Sequence, residues 1–280
     1  MKPATGQSFD KTRPPAVAGM FYPGNGRTLA NAVEGYITQA DLPAPFDSSR
    51  VRAVVAPHAG YIYSGPTAGY AYKALRAGRS AGRSTVYLLG PAHRAWFTGV
   101  ATGDFNLTTP LGVAPTDRPT VEELWARGER YQPLPEAHRE EHSLEVQVPF
   151  IQQTFSDYGL VPLLFGEVEP GAVGRDLAGR LRDEPESRVV VSSDLSHFHD
   201  YETAQRLDHG LIADVLAGDQ AAVLSKREGA CGRAPIVALM EMAAELGWSP
   251  HLLDYRNSGD TAGDRRRVVG YAAIAYTDGE

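Results

Sequence analysis

Residues 51–65 read VRAVVAPHAGYIYSG, in which an apolar, β-branched run passes through a proline into a histidine and a glycine-rich turn. Four further strand-like runs occur at 85–89, 160–165, 188–192 and 268–276. Between most of these runs, apolar residues recur at the three- and four-residue spacing of helices, at 66–77, 144–155, 172–182, 203–217 and 235–246. This alternation predicts an α/β fold with a mainly parallel, mixed central sheet that helices cover on both faces.

Two segments depart from this alternation. Residues 99–117 contain the short strand-like pieces GVATG and FNLTTP with no room for a helix between them, which predicts an antiparallel excursion. Residues 127–141 are polar and contain proline, and we interpret them as a long surface loop.

The composition argues against several classes of protein. A formal net charge of -7 and a pI near 5.6 disfavour a nucleic-acid partner, which needs clustered Lys and Arg. No run approaches the roughly 20 apolar residues of a membrane span, and the first residues contain no apolar signal segment. A single cysteine excludes an internal disulfide and fits a reducing compartment. We therefore expect a cytoplasmic protein without membrane contact.

Three of the predicted strands lead into a histidine: VRAVVAP into His58, TVYLLGPA into His93, and RVVVSSDLS into His197. In an open α/β sheet, the carboxyl ends of the strands form the crevice that binds ligands. We therefore expect the three histidines to share one site. The alternative is that they are ordinary loop histidines at different ends of the sheet.

Cys231 lies in the segment GACGRAP, just before a strong helical pattern. A thiol near a helix N-terminus feels the positive end of the helix dipole, which lowers its pKa and favours the thiolate that binds metals. The alternative is a buried cysteine that acts as a small apolar residue. No close pair such as CxxC or HExxH is present, so any metal site must be assembled from distant segments.

Acidic side chains accompany two of the histidines. The segment EEHSLE at 140–145 precedes a helical pattern, so Ser143 is a candidate helix cap and His142 a candidate pocket residue. Asp194 lies three residues before His197 and is placed to orient its imidazole or raise its basicity. The alternative role of Asp194 is to cap the helix that follows.

Aromatic side chains also lie close in sequence to the candidate ligands: Tyr61, Tyr63 and Trp96. They are suited to wall a pocket for a small molecule or a peptide. Tyrosines that follow a strand serve simple packing just as often. The ligand itself therefore stays unnamed.

The chain resembles the Memo family from residue 16 to its C-terminus, in six motifs that occur in the same order: VVAPHAGYIYSG, LLGPAHR, EEHSLEVQVPF, VVSSDLSHF, ACGRAPI and SGDTAGDRRRVVGYAA. That family is similar in fold to the LigB-like class III extradiol dioxygenases, which have an α/β architecture and a non-haem iron site. The resemblance implies one domain over residues 1–280, with residues 1–15 as an N-terminal extension.

The resemblance also implies roles for individual residues. The metal ligands fall on His58, His93 and Cys231, the general base on His197, and a supporting carboxylate on Asp194. LigB-type dioxygenases complete their ligand set with a carboxylate, whereas this chain offers a thiolate. Family members often show two adjacent histidines where this chain has His93-Arg94, so only the first is available here.

We predict a metal-binding protein that works as a non-haem iron or copper oxidoreductase, with His197 moving a proton. Thiolate and imidazole ligands suit Fe(II) first, with copper or zinc as alternatives. Two other functions stay open. One is a non-catalytic binding or adaptor module for a peptide or partner, and the other is a zinc hydrolase in which His197 or Glu141 activates water. Microbial relatives belong to the AmmeMemoRadiSam system, in which this chain would be protein B and AMMECR-like and radical-SAM proteins its partners.

Overall fold

The computed structural model describes residues 12–78 and 82–279, so residues 1–11 of the predicted N-terminal extension lie outside the described part. Within this part the strands are β1 Thr12–Arg13, β2 Val51–Ala56, β3 Ser84–Pro91, β4 Val100–Thr102, β5 Asn106–Thr109, β6 Gly112–Ala114, β7 Tyr131–Pro133, β8 Tyr158–Phe165, β9 Arg188–Ser192, β10 His197–His199, β11 Ser249–Asn257 and β12 Val268–Thr277. The helices are α1 Gly26–Gln39, α2 Tyr61–Ala77, α3 Arg118–Ala126, α4 Pro135–His138, α5 Val148–Thr154, α6 Pro170–Leu181, α7 Tyr201–Ala217, α8 Gln220–Ser225, α9 Arg233–Leu246 and α10 Ser258–Ala262. Short 3-10 turns cover Ser48–Arg50 and Glu145–Gln147.

The central sheet is built around four adjacent parallel strands in the order β2-β9-β3-β8. Strand β12 runs antiparallel beside β2, and both β10 and β11 pair antiparallel with β12. On the other side, β4 lies antiparallel to β8 and parallel to β7. The predicted α/β fold with a mainly parallel, mixed sheet is confirmed. A second, small sheet contains β1, β5 and β6.

Both faces of the central sheet are buried, which explains why its strands read as continuous apolar runs. Side chains alternate between the faces, as the pleat requires. In β2, Val54 and Ala56 pack on the face covered by α1, α2 and α5, whereas Ala53 and Val55 pack on the opposite face with α6 and α9. The apolar character of these strands therefore reflects two hydrophobic layers.

The order of the strands places a crevice at the carboxyl ends of β2, β9 and β3. The chain passes from β2 to β3 through α2 on one face, and from β8 to β9 through α6 on the other. Strand β9 lies between β2 and β3 in the sheet. The connection from β2 to β3 and the connection that leads into β9 therefore lie on opposite faces at this point of the sheet. Ligand sites of open α/β sheets form at such points.

The structure also differs from the predicted elements in specific places. The antiparallel excursion is confirmed, because β5 and β6 form a hairpin and β4 pairs antiparallel with β8. The predicted surface loop over 127–141 is wrong, since it contains β7 and α4 and buries both His138 and Glu141. The apolar runs of the sequence do not predict strand β11, because it is a half-exposed edge strand with charged residues and no apolar run.

The chain joins the fold before residue 16. Residues Thr12 and Arg13 pair with β5, and the Arg13 side chain is 1% exposed. Its guanidinium donates to the buried carboxylate of Glu145 at 2.7 Å. The same carboxylate accepts the backbone N–H groups of Ala16 and Val17 and the hydroxyl of Tyr22. Glu145 therefore anchors the N-terminal segment beside the site described next.

Candidate metal centre

The loops that follow β2 and β3 meet the loop that precedes α9 at one point. One ligand atom from each of His58, His93 and Cys231 lies within 4.8 Å of the other two. The ring centroids of His58 and His93 are 5.3 Å apart, and the Cys231 Sγ is 3.3 Å from the His58 Nε2. Ligands at ordinary zinc–nitrogen and zinc–sulfur distances in a tetrahedral site are separated by about 3.5 Å, so a transition-metal ion fits among these atoms.

The tautomer of His58 follows from the hydrogen bonds of Ser192. The Ser192 hydroxyl donates its single hydrogen to the Ser143 carbonyl at 2.6 Å and also accepts the Gln147 amide. The His58 Nδ1 lies 2.9 Å from the same hydroxyl oxygen and must therefore donate to it. The lone pair of His58 is then on Nε2, which faces Cys231. Burial, followed by the nearby His93 and His142 imidazoles, holds the pKa of His58 well below its usual range, so the ring stays neutral.

His93 is oriented by the buried carboxylate of Glu141. The His93 Nδ1 donates to Glu141 Oε1 at 3.0 Å, which leaves Nε2 as the ligand atom. The carboxylate also accepts backbone N–H groups from His93, Arg94, His142 and Ser143. Burial alone would raise the pKa of Glu141, but the His93 and Ser143 hydrogen bonds outweigh it and hold this pKa well below its usual range. Glu141 is thus suited to hold His93 rather than to take up a proton.

His142 supplies a third imidazole to the cluster. Its ring stacks on His93 at 4.9 Å between centroids and meets His58 edge-on at 5.6 Å. A ligand atom of His142 also lies within 4.8 Å of ligand atoms of His93 and Glu141. Ser143 donates to the Pro91 carbonyl instead of capping α5. His142 lines the cavity described below, and its role as a pocket residue stays a prediction.

Asp194 ties two of the candidate ligands together. Its Oδ1 accepts the backbone N–H of His58 at 2.7 Å and that of Ala59 at 3.3 Å. Its backbone carbonyl accepts the N–H of Cys231 at 3.3 Å. Among the described residues, no hydrogen bond joins Asp194 to the ring of His197. Asp194 therefore positions the loops that carry His58 and Cys231.

The pKa of the Cys231 thiol differs from the sequence-based expectation. Helix α9 begins two residues later, at Arg233, so the thiol is close to the helix N-terminus as expected. Burial, followed by the negative charge of Asp194, nevertheless raises the pKa of the Cys231 thiol to about 12. The predicted lowering by the helix dipole is wrong because desolvation is the larger effect. A coordinated metal ion acts in the opposite direction, since it deprotonates a thiol ligand outright.

His197 lies on the wall of the same site. It is half-buried, and no side chain of the described residues hydrogen-bonds its ring. The next residue, Phe198, has a φ of 63°, a left-handed conformation that is rare for a bulky side chain. This backbone turn interrupts the pairing of β10 with β12 between His197 and His199. His197 is thus a half-buried imidazole that lines the cavity without a side-chain hydrogen bond among the described residues.

A cavity of about 670 Å³ opens beside the imidazole cluster. The residues that line it include His58, His93, His142, Asp194 and His197, together with the aromatic side chains of Phe21, Tyr63, Phe198 and Tyr271. Two of the aromatic residues expected at this pocket lie elsewhere. Tyr61 is buried and donates to the Val146 carbonyl at 2.7 Å, and Trp96 lines a separate surface hollow.

Sequence reasoning missed Ser192 and Gln147, and it considered Glu141 only as a base that activates water and not as a residue that orients a ligand. The Ser192 hydroxyl accepts the ring N–H of His58 and the amide of Gln147, and the Glu141 carboxylate accepts the ring N–H of His93. The only signal for Ser192 was its position at the carboxyl end of an apolar strand. Glu141 stood in a polar segment that resembled a surface loop, so its burial was not visible in the pattern.

Comparison with known proteins places this architecture in a family. The Memo-like protein family model matches residues 13–275. The chain belongs to the Memo family. Memo relatives include a MEMO1 family protein of Nitrosopumilus maritimus, 34% identical with 94% of this chain and 99% of the relative covered. Another, of Thermoplasma acidophilum, is 36% identical with 94% of this chain and 97% of the relative covered.

Among solved structures, an uncharacterized protein from Escherichia coli K12 shares the fold of this Memo family member. The TM-score is 0.50 at 14% identity, with 80% of this chain and 99% of the other covered. At this identity the likeness concerns the fold alone. In the part of the chain that the structure describes, no helix is both long and apolar enough to cross a bilayer.

Proposed function

We propose that the chain binds a redox-capable metal ion through His58, His93 and Cys231 and acts as a non-haem oxidoreductase related to the class III extradiol dioxygenases. The observation that carries this proposal is the convergence of the three ligand atoms within 4.8 Å, beside a cavity that admits a small molecule. The two imidazoles are supported by hydrogen bonds on the nitrogen that faces away, as is usual for metal-bound histidines.

The donor set favours particular metals. Two neutral imidazoles and one thiolate suit Fe(II), copper and zinc better than Mg²⁺ and Ca²⁺, which prefer oxygen ligands. We propose Fe(II) first and copper second, because the resemblance is to iron enzymes. A bound ion of this kind would supply one-electron chemistry and an open position for a substrate.

The remaining residues of the site divide between positioning and proton transfer. Asp194 and Ser192 hold the backbone and ring of His58, and Glu141 holds His93. His197 is the residue that gives or takes a proton at a ring nitrogen, since its ring has no partner among the described side chains and lines the cavity.

The proposal is tested by anaerobic purification followed by elemental analysis. We expect near-stoichiometric iron or copper in the wild type, and its loss in His58→Ala and Cys231→Ser. His209→Ala is the matched control, because His209 is an exposed helical histidine that contacts the Gln205 carbonyl. His197→Ala is expected to retain the metal and to lose oxygen consumption with catechol-like substrates.

The outcome also separates the alternative functions. Stoichiometric zinc would move the function to hydrolysis with His197 as the base. Absence of any metal would leave a non-catalytic binding module. Equal metal content in the wild type and in Cys231→Ser would overturn the ligand assignment. AMMECR-like and radical-SAM proteins are proposed as partners, and affinity purification of the full chain with each of them tests this.

A further inference from the structure

Two arginines line the cavity without an acidic partner. Arg94 follows the candidate ligand His93, and Arg267 immediately precedes β12. Among the described residues, neither of them forms an ion pair, although the chain carries 34 acidic residues against 27 basic ones. Both side chains are exposed, so their guanidinium groups are accessible to a ligand that enters the cavity.

Arg267 is held in a geometry that leaves its donors free. Its guanidinium carbon lies 5.1 Å from the ring centroid of Phe198. A guanidinium that stacks on an aromatic face keeps the N–H groups of its edge available for a planar or tetrahedral anion. Phe198 itself is 61% exposed and adopts its left-handed backbone on the cavity wall. The stacked pair therefore presents one aromatic face and one positive edge to the same space.

Arg94 brings a second positive charge to the imidazole cluster. Its backbone N–H donates to the Glu141 carboxylate at 3.2 Å, and Arg94 lines the cavity together with His58, His93 and His142. The rings of His58, His93 and His142 lie 4.9–5.6 Å apart in all three pairs, and all three line the cavity. The position of Arg94 thus combines a cation with the proposed metal ligands.

The acidic residues on the cavity wall are already engaged. Both carboxylate oxygens of Asp264 accept hydrogen bonds from Arg266. Asp194 is buried and binds the backbone of His58 and Ala59. The two arginines are therefore the cations left for a ligand.

We propose that the molecule which enters this cavity is a small anion, a carboxylate or a phosphate, whose charge is bound by Arg94 and Arg267 and whose apolar body packs on the aromatic walls. This inference deepens the proposed function, because it names the substrate class of the same site. It rests on the proposed function for the reaction but not for the binding step, which needs no metal.

The test measures binding of three probes to the full-length chain by calorimetry: benzoate, phenylphosphonate and the neutral benzamide. Each titration is made with protein as purified and after treatment with a chelator, because a metal ion would itself attract an anion. The variants are Arg94→Gln and Arg267→Gln. Arg265→Gln is the matched control, since it removes one charge from the same run of arginines but stacks on Tyr201 outside the cavity.

We expect at least one anionic probe to bind at least about tenfold more tightly than benzamide in the chelated protein. Each cavity variant should weaken that probe about tenfold, whereas Arg265→Gln should leave its affinity within about twofold. A preference for benzoate or for phenylphosphonate identifies the carboxylate or the phosphate. Equal binding of all three probes, no binding of either anion, or an unchanged affinity in both cavity variants would overturn the inference. Because the chelated protein is used, loss of metal binding alone does not affect this result.

Discussion

Replacing Ser192 by alanine removes a hydroxyl that sets the tautomer of a candidate metal ligand. The residue is fully buried, and its oxygen contacts the His58 Nδ1 at 2.9 Å, the Ser143 carbonyl at 2.6 Å and the Gln147 amide at 2.9 Å. Gln147 keeps the Pro57 carbonyl as an acceptor, so two groups are left unpaired. At about 1–3 kcal/mol for each buried group, the free energy of unfolding should fall by about 2–6 kcal/mol.

Metal affinity should fall as well, because the His58 ring loses the acceptor that keeps its proton on Nδ1. Loss of such a supporting hydrogen bond typically weakens metal binding by about 10–100-fold. Chelator competition measures the affinity, and urea unfolding measures the stability. Ser187→Ala is the control, since Ser187 is buried next to the opposite end of β9 and contacts Glu184. If Ser192→Ala binds the metal as tightly as the wild type, the tautomer argument is refuted.

Three further perturbations test other features. Glu141→Gln should weaken metal binding by about 10–100-fold in chelator competition, because His93 loses a charged acceptor; unchanged affinity would separate this carboxylate from the site. Burial lowers the pKa of His138 from 6.5 to about 4, so the unfolded chain binds the extra proton between these values and the stability should fall as the pH decreases from 6.5 to 4, by up to about 3 kcal/mol. His138→Gln should flatten this slope in urea titrations at several pH values, and an unchanged slope would assign it to other groups. Gly270→Ala would place a methyl group 2.0 Å from a buried carboxylate oxygen and should cost about 3 kcal/mol of stability, whereas Gly35→Ala, which meets nothing within 4 Å, should be neutral or stabilising; equal thermal midpoints for the two would contradict the packing around β12.

The fold was largely predictable because its parallel strands are buried on both faces. Such strands appear as uninterrupted apolar runs, and the carboxyl ends of β2, β3 and β9 then had to share one edge. That rule is enough to bring His58 and His93 to the same edge as His197. The half-exposed edge strand β11 lacks this signal, since among the described strands it pairs with β12 alone and carries several charged and polar residues.

The details of the site were not predictable, because they depend on contacts between distant segments. Cys231 and His58 are 173 positions apart, and no local spacing reports their distance of 3.3 Å. The sign of the pKa shift of Cys231 depends on how completely the fold removes water from the thiol. Glu141 likewise lies in a polar segment that is typical of a solvated loop. Its carboxylate is nevertheless buried and accepts hydrogen bonds from five N–H groups.

The anchoring of Arg13 to Glu145 has a consequence for shortened forms of the chain. Glu145 also fixes Ala16 and Val17, and the loop that follows carries Phe21 to an edge-on contact with His142 at 5.0 Å. Trimming the N-terminus past Arg13 would leave a buried carboxylate without its counter-charge and release this loop. A shortened protein would then expose the His142 side of the cavity to water, and ligand affinities measured on it would describe a different cavity.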